Sequence, residues 1–579
     1  MDKDFSFLEN LNEKQKEVCT GTDNYLLTAC PGSGKTRTIT YRLAYLYTKY
    51  FPSKKLNIAI TYTNRAANEI YTRLENMGIE TSAIWTGTIH QFCMRFIIRP
   101  YAMYSSSLKN GYRVIDEYVK NQYCKEIASA LGIGIGYNDP LSYPSIKSEY
   151  IRRLSLNKEI DFDMILNLSD KLLTDFPFIA ENISSIMRSI HVDEFQDTNE
   201  LQYAILAKIV GKNKSINVVF VGDVNQAIYG GLGGVAKSAA SLSKQFGIEF
   251  KSDCLAGCYR STQRIVDYYR NFEISSTGVQ SVSANSHVCG VIAYDHIISK
   301  DALPGKIADI IRHQLSLGIP AHEICVVAPQ WYQIYPIANC LREHLPLVNF
   351  DAPDIIPFKY DPMNPFYLLA RLLFTAPGTN VKQRKRTASE LLEILENEYQ
   401  ISLPDGYDVY HLLKAVNSVP RKSEEGVPYY KQSAEYVFWN MHIPLIKESN
   451  LYQSYTYFLD KAQQRIEKYH LANSVADFYA CFKERQGVVI NTIHGVKGEE
   501  YETVIGFDLV NGHLPHWDYI FDSEKIAVRK LETSKLLYVL CSRAKTNLYL
   551  FSETGRMTQK GFPLRPTDEL VAIDYDYDK

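Results

Sequence analysis

Residues 29 to 36 read ACPGSGKT, a glycine-rich turn that ends in Gly34-Lys35-Thr36. A turn of this kind presents backbone N–H groups around an anion, a lysine for the β- and γ-phosphates and a hydroxyl for Mg²⁺. The residues this reading assigns to a bound nucleotide are Ala29, Cys30, Pro31, Gly32, Ser33, Gly34, Lys35 and Thr36. The usual first glycine is Ala29 here, and Cys30 sits inside the loop, so the turn must accommodate two additional side chains. Hydrolysis needs one acid for the metal and another for water. HVDEFQD at 191 to 197 supplies both: Asp193 ends an apolar run, from which its carboxylate can reach the metal through water, and Glu194 is placed to orient or deprotonate the attacking water. ATP hydrolysis with Mg²⁺ is the chemistry these two stretches predict.

Those groups need a scaffold that holds them together. Residues 24 to 29 (NYLLTA) form a short apolar run before the loop, and 36 to 50 (TRTITYRLAYLYTKY) have helical spacing, which gives strand, loop, helix. LNIAIT (56 to 61) and NRAANEIYTRLENMG (64 to 78) repeat the pattern. Buried strands are expected again at 189 to 194 and 215 to 223, and a second set at 324 to 329, 487 to 495, 501 to 507 and 547 to 552. Apolar strands alternating with helices predict parallel sheets covered on both faces. Two mostly helical stretches interrupt the pattern, the second carrying a basic run, KQRKR, at 382 to 386. The acidic ending DYDYDK reads as a frayed terminus.

Composition bounds the rest. A chain of 579 residues exceeds one core at about 150 residues per domain. No segment has the roughly 18 apolar residues of a membrane span, and the N-terminus MDKDFSFLENLNEKQ lacks the apolar core of a signal peptide, so a cytoplasmic protein without membrane association is expected. The 11 cysteines form no CxxC pairs, which predicts reduced, mostly buried thiols and no metal cluster. With 63 basic against 65 acidic residues, a nucleic acid would have to meet a local groove, since the global field is close to neutral.

DEFQD, VGDVNQAIYG (221 to 230), CYRST (258 to 262), TIHGVKGEEYE (492 to 502) and LLYVLCSRAK (536 to 545) follow one another in the order of the motifs of UvrD/Rep/PcrA-like superfamily 1 helicases, and the chain resembles that family from Leu11 to about Phe551. The resemblance implies an α/β fold with two RecA-like P-loop domains of parallel sheet, each interrupted by a helical insertion. It sets the first domain at 1–95 and 188–270, its insertion at 96–187, the second domain at 271–350 and 484–579, and its insertion at 351–483.

It also implies roles. Gln15, in LNEKQ, reads the adenine edge, Tyr259 stacks on the base, Arg37 lies near base or ribose, and Glu500 binds the ribose. Gln226 senses the γ-phosphate, and Arg260 and Arg543 are arginine fingers; by position alone, each would read as a solvated surface arginine. Single-stranded DNA is the implied partner, met by Tyr62, Asn64 and Arg65 (in TYTNRAA, with arginine where lysine is usual), by Thr88 and His90, and by Thr492 and His494. Direction 3′ to 5′ follows from the resemblance alone.

The sequence departs from the family after Gln226. Gly231 stands in place of a base-stacking aromatic and Leu232 in place of an arginine, which supports DNA-stimulated hydrolysis more strongly than processive unwinding. A second reading is therefore a DNA-sensing UvrD-like ATPase of a Gabija-type anti-phage system. The stretch after Arg543 is too short for a fused nuclease, so that reading expects the nuclease as a separate chain. A metabolic P-loop kinase would need neither a second sheet domain nor two arginines from distant positions.

Overall fold

The computed structural model describes residues 3–578 apart from 116, 135–138, 230–232, 352–356, 359–363, 379, 398, 400, 448, 470, 483–485, 522–525 and 559. Gly231 and Leu232 thus lie outside the described residues.

The continuous apolar runs form the interior of two six-stranded sheets in which every strand pairs in parallel. The first contains β1 (Asn24–Ala29), β2 (Leu56–Thr61), β3 (Ile84–Thr88), β4 (Met187–Asp193), β5 (Asn217–Gly222) and β6 (Phe250–Leu255), in the order β3-β2-β4-β5-β1-β6. The second contains β7 (Ile292–Asp295), β8 (Ile324–Ala328), β9 (Phe350–Asp351), β10 (Val488–Thr492), β11 (Tyr501–Gly506) and β12 (Ala544–Phe551), in the order β7-β12-β11-β8-β10-β9. The sequence reading missed β3, β6, β7 and β9, and these are the four edge strands. An edge strand is covered on fewer sides and need not be apolar throughout: Lys251 and Ser252 of β6 are exposed, whereas all five residues of β8 are buried.

Three helices frame the chemistry. Helix α1 (Glu13–Thr20) is capped by Asn12, whose side chain accepts from Gln15 N. Helix α2 (Lys35–Tyr50) follows the glycine-rich loop with no side-chain cap, so its first N–H groups stay open to an anion. Helix α3 (Asn64–Asn76) is capped by Thr63 and buries Ala67, Ile70 and Leu74, a stripe of helical spacing. Since β4, β5 and β1 are neighbours, the segments after their C-terminal ends, DEFQD, GDVNQ and the loop, come together on one rim.

By contacts the chain forms two units. One comprises Met1–Lys109, Phe162–Asp351 and Gln486–Lys579 and holds both sheets. Its helix Phe162–Asp175 packs against Glu200–Lys212, with Lys208 on Asp170 at 2.6 Å. The other comprises Asn110–Asp161 and Ala352–Arg485 and is mostly helical, with Phe358, Phe366, Tyr430, Phe458 and Phe478 in its core. Within KQRKR, Arg384 is buried and donates to Leu372 O and Asn417 Oδ1, both at 2.6 Å, so part of that basic run is structural.

The acidic ending is docked where the sequence predicted fraying. Arg264 donates to Tyr575 Oη at 3.1 Å and to Asp578 at 3.0 Å, the hydroxyls of Tyr577 and Tyr268 are 3.1 Å apart, and Asp578 N–H donates to Ile292 O at 2.9 Å. Its partners lie far upstream, which is why local composition suggested a loose end. No helix among the described residues is long and apolar enough to cross a membrane.

Candidate active site

The loop after β1 turns twice through left-handed glycines, Gly32 (φ +71°) and Gly34 (φ +80°). A Cβ on Gly32 would stand 2.5 Å from Arg260 Cβ, so only glycine fits there. Pro31, Gly32, Ser33, Gly34, Lys35, Thr36 and Arg37 line a cavity of about 360 Å³. Ala29 and Cys30 are fully buried beneath the loop, in the cores on either side, so the two additional side chains are absorbed away from the cavity. Ser33 Oγ is buried without a hydrogen-bond partner. An orphaned donor in an anion-shaped turn suits a phosphate oxygen.

Opposite the loop stand the acids. Thr36 Oγ1 donates to Asp193 Oδ2 at 3.2 Å, and Lys35 Nζ lies 3.4 Å from the Glu194 carboxylate. Glu194 is left-handed (φ +54°), a conformation costly for a side-chain-bearing residue and one that accompanies functional strain. Burial alone would lift the Glu194 carboxyl, but the charges of Lys35 and Lys497 outweigh it and hold the group below the usual carboxylate range. Burial, with the Glu194 charge beside it, pushes Asp193 upward. A hydroxyl and crowded carboxylates form a hard-oxygen donor set, which fits Mg²⁺.

Gln226 and Arg543 close the cleft. Gln226 donates to Asp223 Oδ2 at 2.7 Å and accepts from Arg543 Nη2 at 3.0 Å. Arg543 is 1% exposed, and burial followed by the nearby Arg260 charge lowers it to about 10. Two guanidinium groups facing one cavity favour an anion between them. Arg260 donates to Glu500 at 2.8 Å and to Ser542 O at 3.0 Å, so Glu500 is engaged by an arginine in this state. At the outer end, Gln15 donates to Ser33 O at 3.1 Å, Arg37 to Asn10 O at 2.8 Å, and the ring of Tyr259 stands 45% exposed. Glu69 and Arg73 of α3 also line the cavity. The sequence reading passed over them because their spacing looks like an ordinary surface ion pair.

The residues expected to meet DNA separate into groups. Tyr62 is stacked on Tyr229, with centroids 4.8 Å apart, and Tyr229 is 5.7 Å from the His494 ring. Lys497 lies 4.9 Å above Tyr229 and pairs with Asp197 at 2.5 Å and Gln226 O at 2.7 Å, thereby touching both the aromatic row and the acid cluster. Neither Tyr229 nor Lys497 was singled out from sequence, although each sits inside a quoted motif. Asn64 begins α3, and Arg65 is ion-paired with Glu499. Thr88 and Thr492 spend their hydroxyls on backbone, accepting from Gln91 N at 3.3 Å and Gly495 N at 3.1 Å. His90 is tilted against Phe162 at 5.3 Å, and burial lowers its pKa.

Residues 11–136 and 138–247 match the UvrD/REP helicase N-terminal domain, and residues 439–554 match the UvrD-like helicase C-terminal domain. The chain is 24% identical to the ATP-dependent DNA helicase PcrA of Staphylococcus epidermidis over 98% of its own length and 87% of that protein. It is 29% identical to the PcrA of Staphylococcus aureus over 53% of its own length and 46% of that protein. With both domains of the family present in order, and the phosphate loop, Glu194 and two arginines lining one cleft, the chain belongs to the UvrD/Rep family of ATP-hydrolysing DNA helicases.

Proposed function

We propose that this protein is an ATP-driven 3′-to-5′ translocase and helicase on single-stranded DNA. The observation that carries the reading is the meeting of Gln226, from the first sheet, with Arg543, at the head of β12 in the second, over the cavity that also presents Lys35 and Glu194. The motor lobes would be 1–95 with 188–270 and 271–350 with 484–579, with 96–187 and 351–483 as insertions. Lys35 and the loop N–H groups would hold the phosphates, Gln15 and Arg37 the base end, and Tyr259 would stack on adenine. Glu500 would turn from Arg260 to the ribose. Thr36 and Asp193 would hold Mg²⁺, which when bound neutralises charge on the β- and γ-oxygens. Glu194, ionised beside Lys35, would orient water and take its proton, while Arg260 and Arg543 offer planar forks to the charge that develops on the transferred group.

Hydrolysis would then move the lobes along an unpaired strand, with Tyr62, Asn64, Arg65, Thr88, His90, Thr492 and His494 as strand contacts. Strand displacement on duplexes with a 3′ or a 5′ tail tests the polarity: unwinding from the 3′ tail is expected, and preference for the 5′ tail overturns it. Lys35→Ala should abolish ATPase. Gly231 and Leu232 favour a second reading, a DNA-sensing ATPase that acts with a separate nuclease in phage defence. DNA-stimulated ATPase without strand separation on either substrate would select it.

A further inference from the structure

Tyr259 stands at the mouth of the nucleotide cavity with its ring half exposed, yet its hydroxyl is not free: Asn12 Nδ2 donates to it at 2.7 Å. The same Asn12 side chain caps α1, its Oδ1 accepting from Gln15 N at 2.8 Å, and Asn12 N–H donates to Gln15 Oε1 at 3.2 Å. Gln15 Nε2 in turn donates to Ser33 O at 3.1 Å, and Tyr259 N–H donates to Gly32 O at 2.9 Å. Asn12 is thus the joint between the segment expected to read the base and the ring expected to stack on it.

Resting on the reading of Tyr259 as the adenine-stacking group, we infer that Asn12 is a positioning residue for nucleotide binding that pins the Tyr259 ring in its stacking pose before nucleotide arrives. The mechanical reason is leverage. Tyr259 is tied to the loop at its backbone and to α1 at its hydroxyl, the two ends of the side chain, so χ1 cannot change and swing the ring out of the cavity mouth without breaking the Asn12 bond. Ordering that ring in advance removes an entropy cost from binding. The contribution belongs to affinity and not to the chemical step, because the bond is remote from the phosphates. It is also indifferent to the base, since every base offers a π-face.

The test is a double-mutant cycle on the full chain, measuring steady-state hydrolysis of ATP and GTP with a single-stranded oligonucleotide present. Asn12→Ser keeps a helix cap but is too short to reach the phenol, and Tyr259→Phe removes only the hydroxyl. Each should raise KM for ATP about 3- to 10-fold, the value of one hydrogen bond, with little change in kcat. The double variant should be no worse than the poorer single one, and KM for GTP should rise by the same factor. Additive effects of the two changes, or an Asn12→Ser enzyme with unchanged KM, overturn the inference; so does a lowered melting temperature with KM intact. Tyr259→Ala separates the levels: if it leaves KM for ATP unaltered, the stacking assignment has failed, and if it raises KM while the two subtler variants do not, Asn12 alone has been misread.

Discussion

Arg543 and Gln226 are 317 residues apart in sequence, and the guanidinium of one donates to the side-chain oxygen of the other at 3.0 Å, both fully buried. The bond links the start of β12 in the second sheet to the segment after β5 in the first. Each partner then has a further role available when a triphosphate enters, because Gln226 also holds Asp223 and Arg543 also holds Glu499 O at 3.2 Å.

Replacing Arg543 with lysine retains charge but removes the fork. Turnover of ATP should fall by about 10³-fold or more, the scale of an arginine finger, while affinity for a fluorescent non-hydrolysable ATP analogue stays within a few-fold. Parallel loss of affinity and turnover would place Arg543 in ground-state binding instead.

Thr36→Ala deletes the hydroxyl that faces Asp193 at 3.2 Å. Hydrolysis should then demand a much higher Mg²⁺ concentration, and chelation with EDTA should stop the wild-type enzyme altogether. Titration of ATPase rate against Mg²⁺ reads both outcomes.

The stacked pair Tyr62 and Tyr229 offers two π-faces beside His494. Tyr62→Ala should weaken binding of a fluorescent single-stranded oligonucleotide by about 1–3 kcal/mol, the value of one base stack, with the salt dependence unchanged. Fluorescence anisotropy at two salt concentrations measures it. Unchanged affinity at both salt concentrations would remove Tyr62 from the strand contacts.

Asp197 is pushed up to about 6, chiefly by burial, with Lys497 pulling the other way. A carboxyl whose folded-state value lies above its unfolded one binds its proton more tightly when folded. Its stabilising share is therefore complete below about pH 4 and lost as pH rises through about 6. Urea unfolding of Asp197→Asn should show a flatter decline between those values than wild type, by on the order of 2 kcal/mol. An identical decline would mean that other groups carry it.

The docked ending predicts a stability effect distant from the cleft. Tyr577→Ala removes the ring contacts with Tyr268 and Tyr294 and the hydroxyl partner of Tyr268. A half-buried tyrosine of this kind is worth about 1–2 kcal/mol, visible as a lower melting temperature with ATPase retained at low temperature. Unaltered melting would return the segment to a loose end.

By itself, the order of residues determined the phosphate loop, the acid pair and the interior strands. Those signals are local: a loop that wraps an anion needs Gly32, Gly34 and Lys35 within a few residues of one another, and a strand buried on both faces, such as β8, has to be apolar throughout. The edge strands escaped because partial cover leaves their composition free, as in Phe250–Leu255. Tertiary structure alone decided that Arg543 is buried against Gln226 instead of solvated, that Lys497 spans Asp197 and Tyr229, that Thr88 caps a helix with its hydroxyl, and that the acidic ending lies against Tyr268 and Arg264. Except for Thr88, each of these is a contact across hundreds of residues, and its energy depends on which surfaces the folded sheets bring within reach, a quantity that no spacing along the chain encodes.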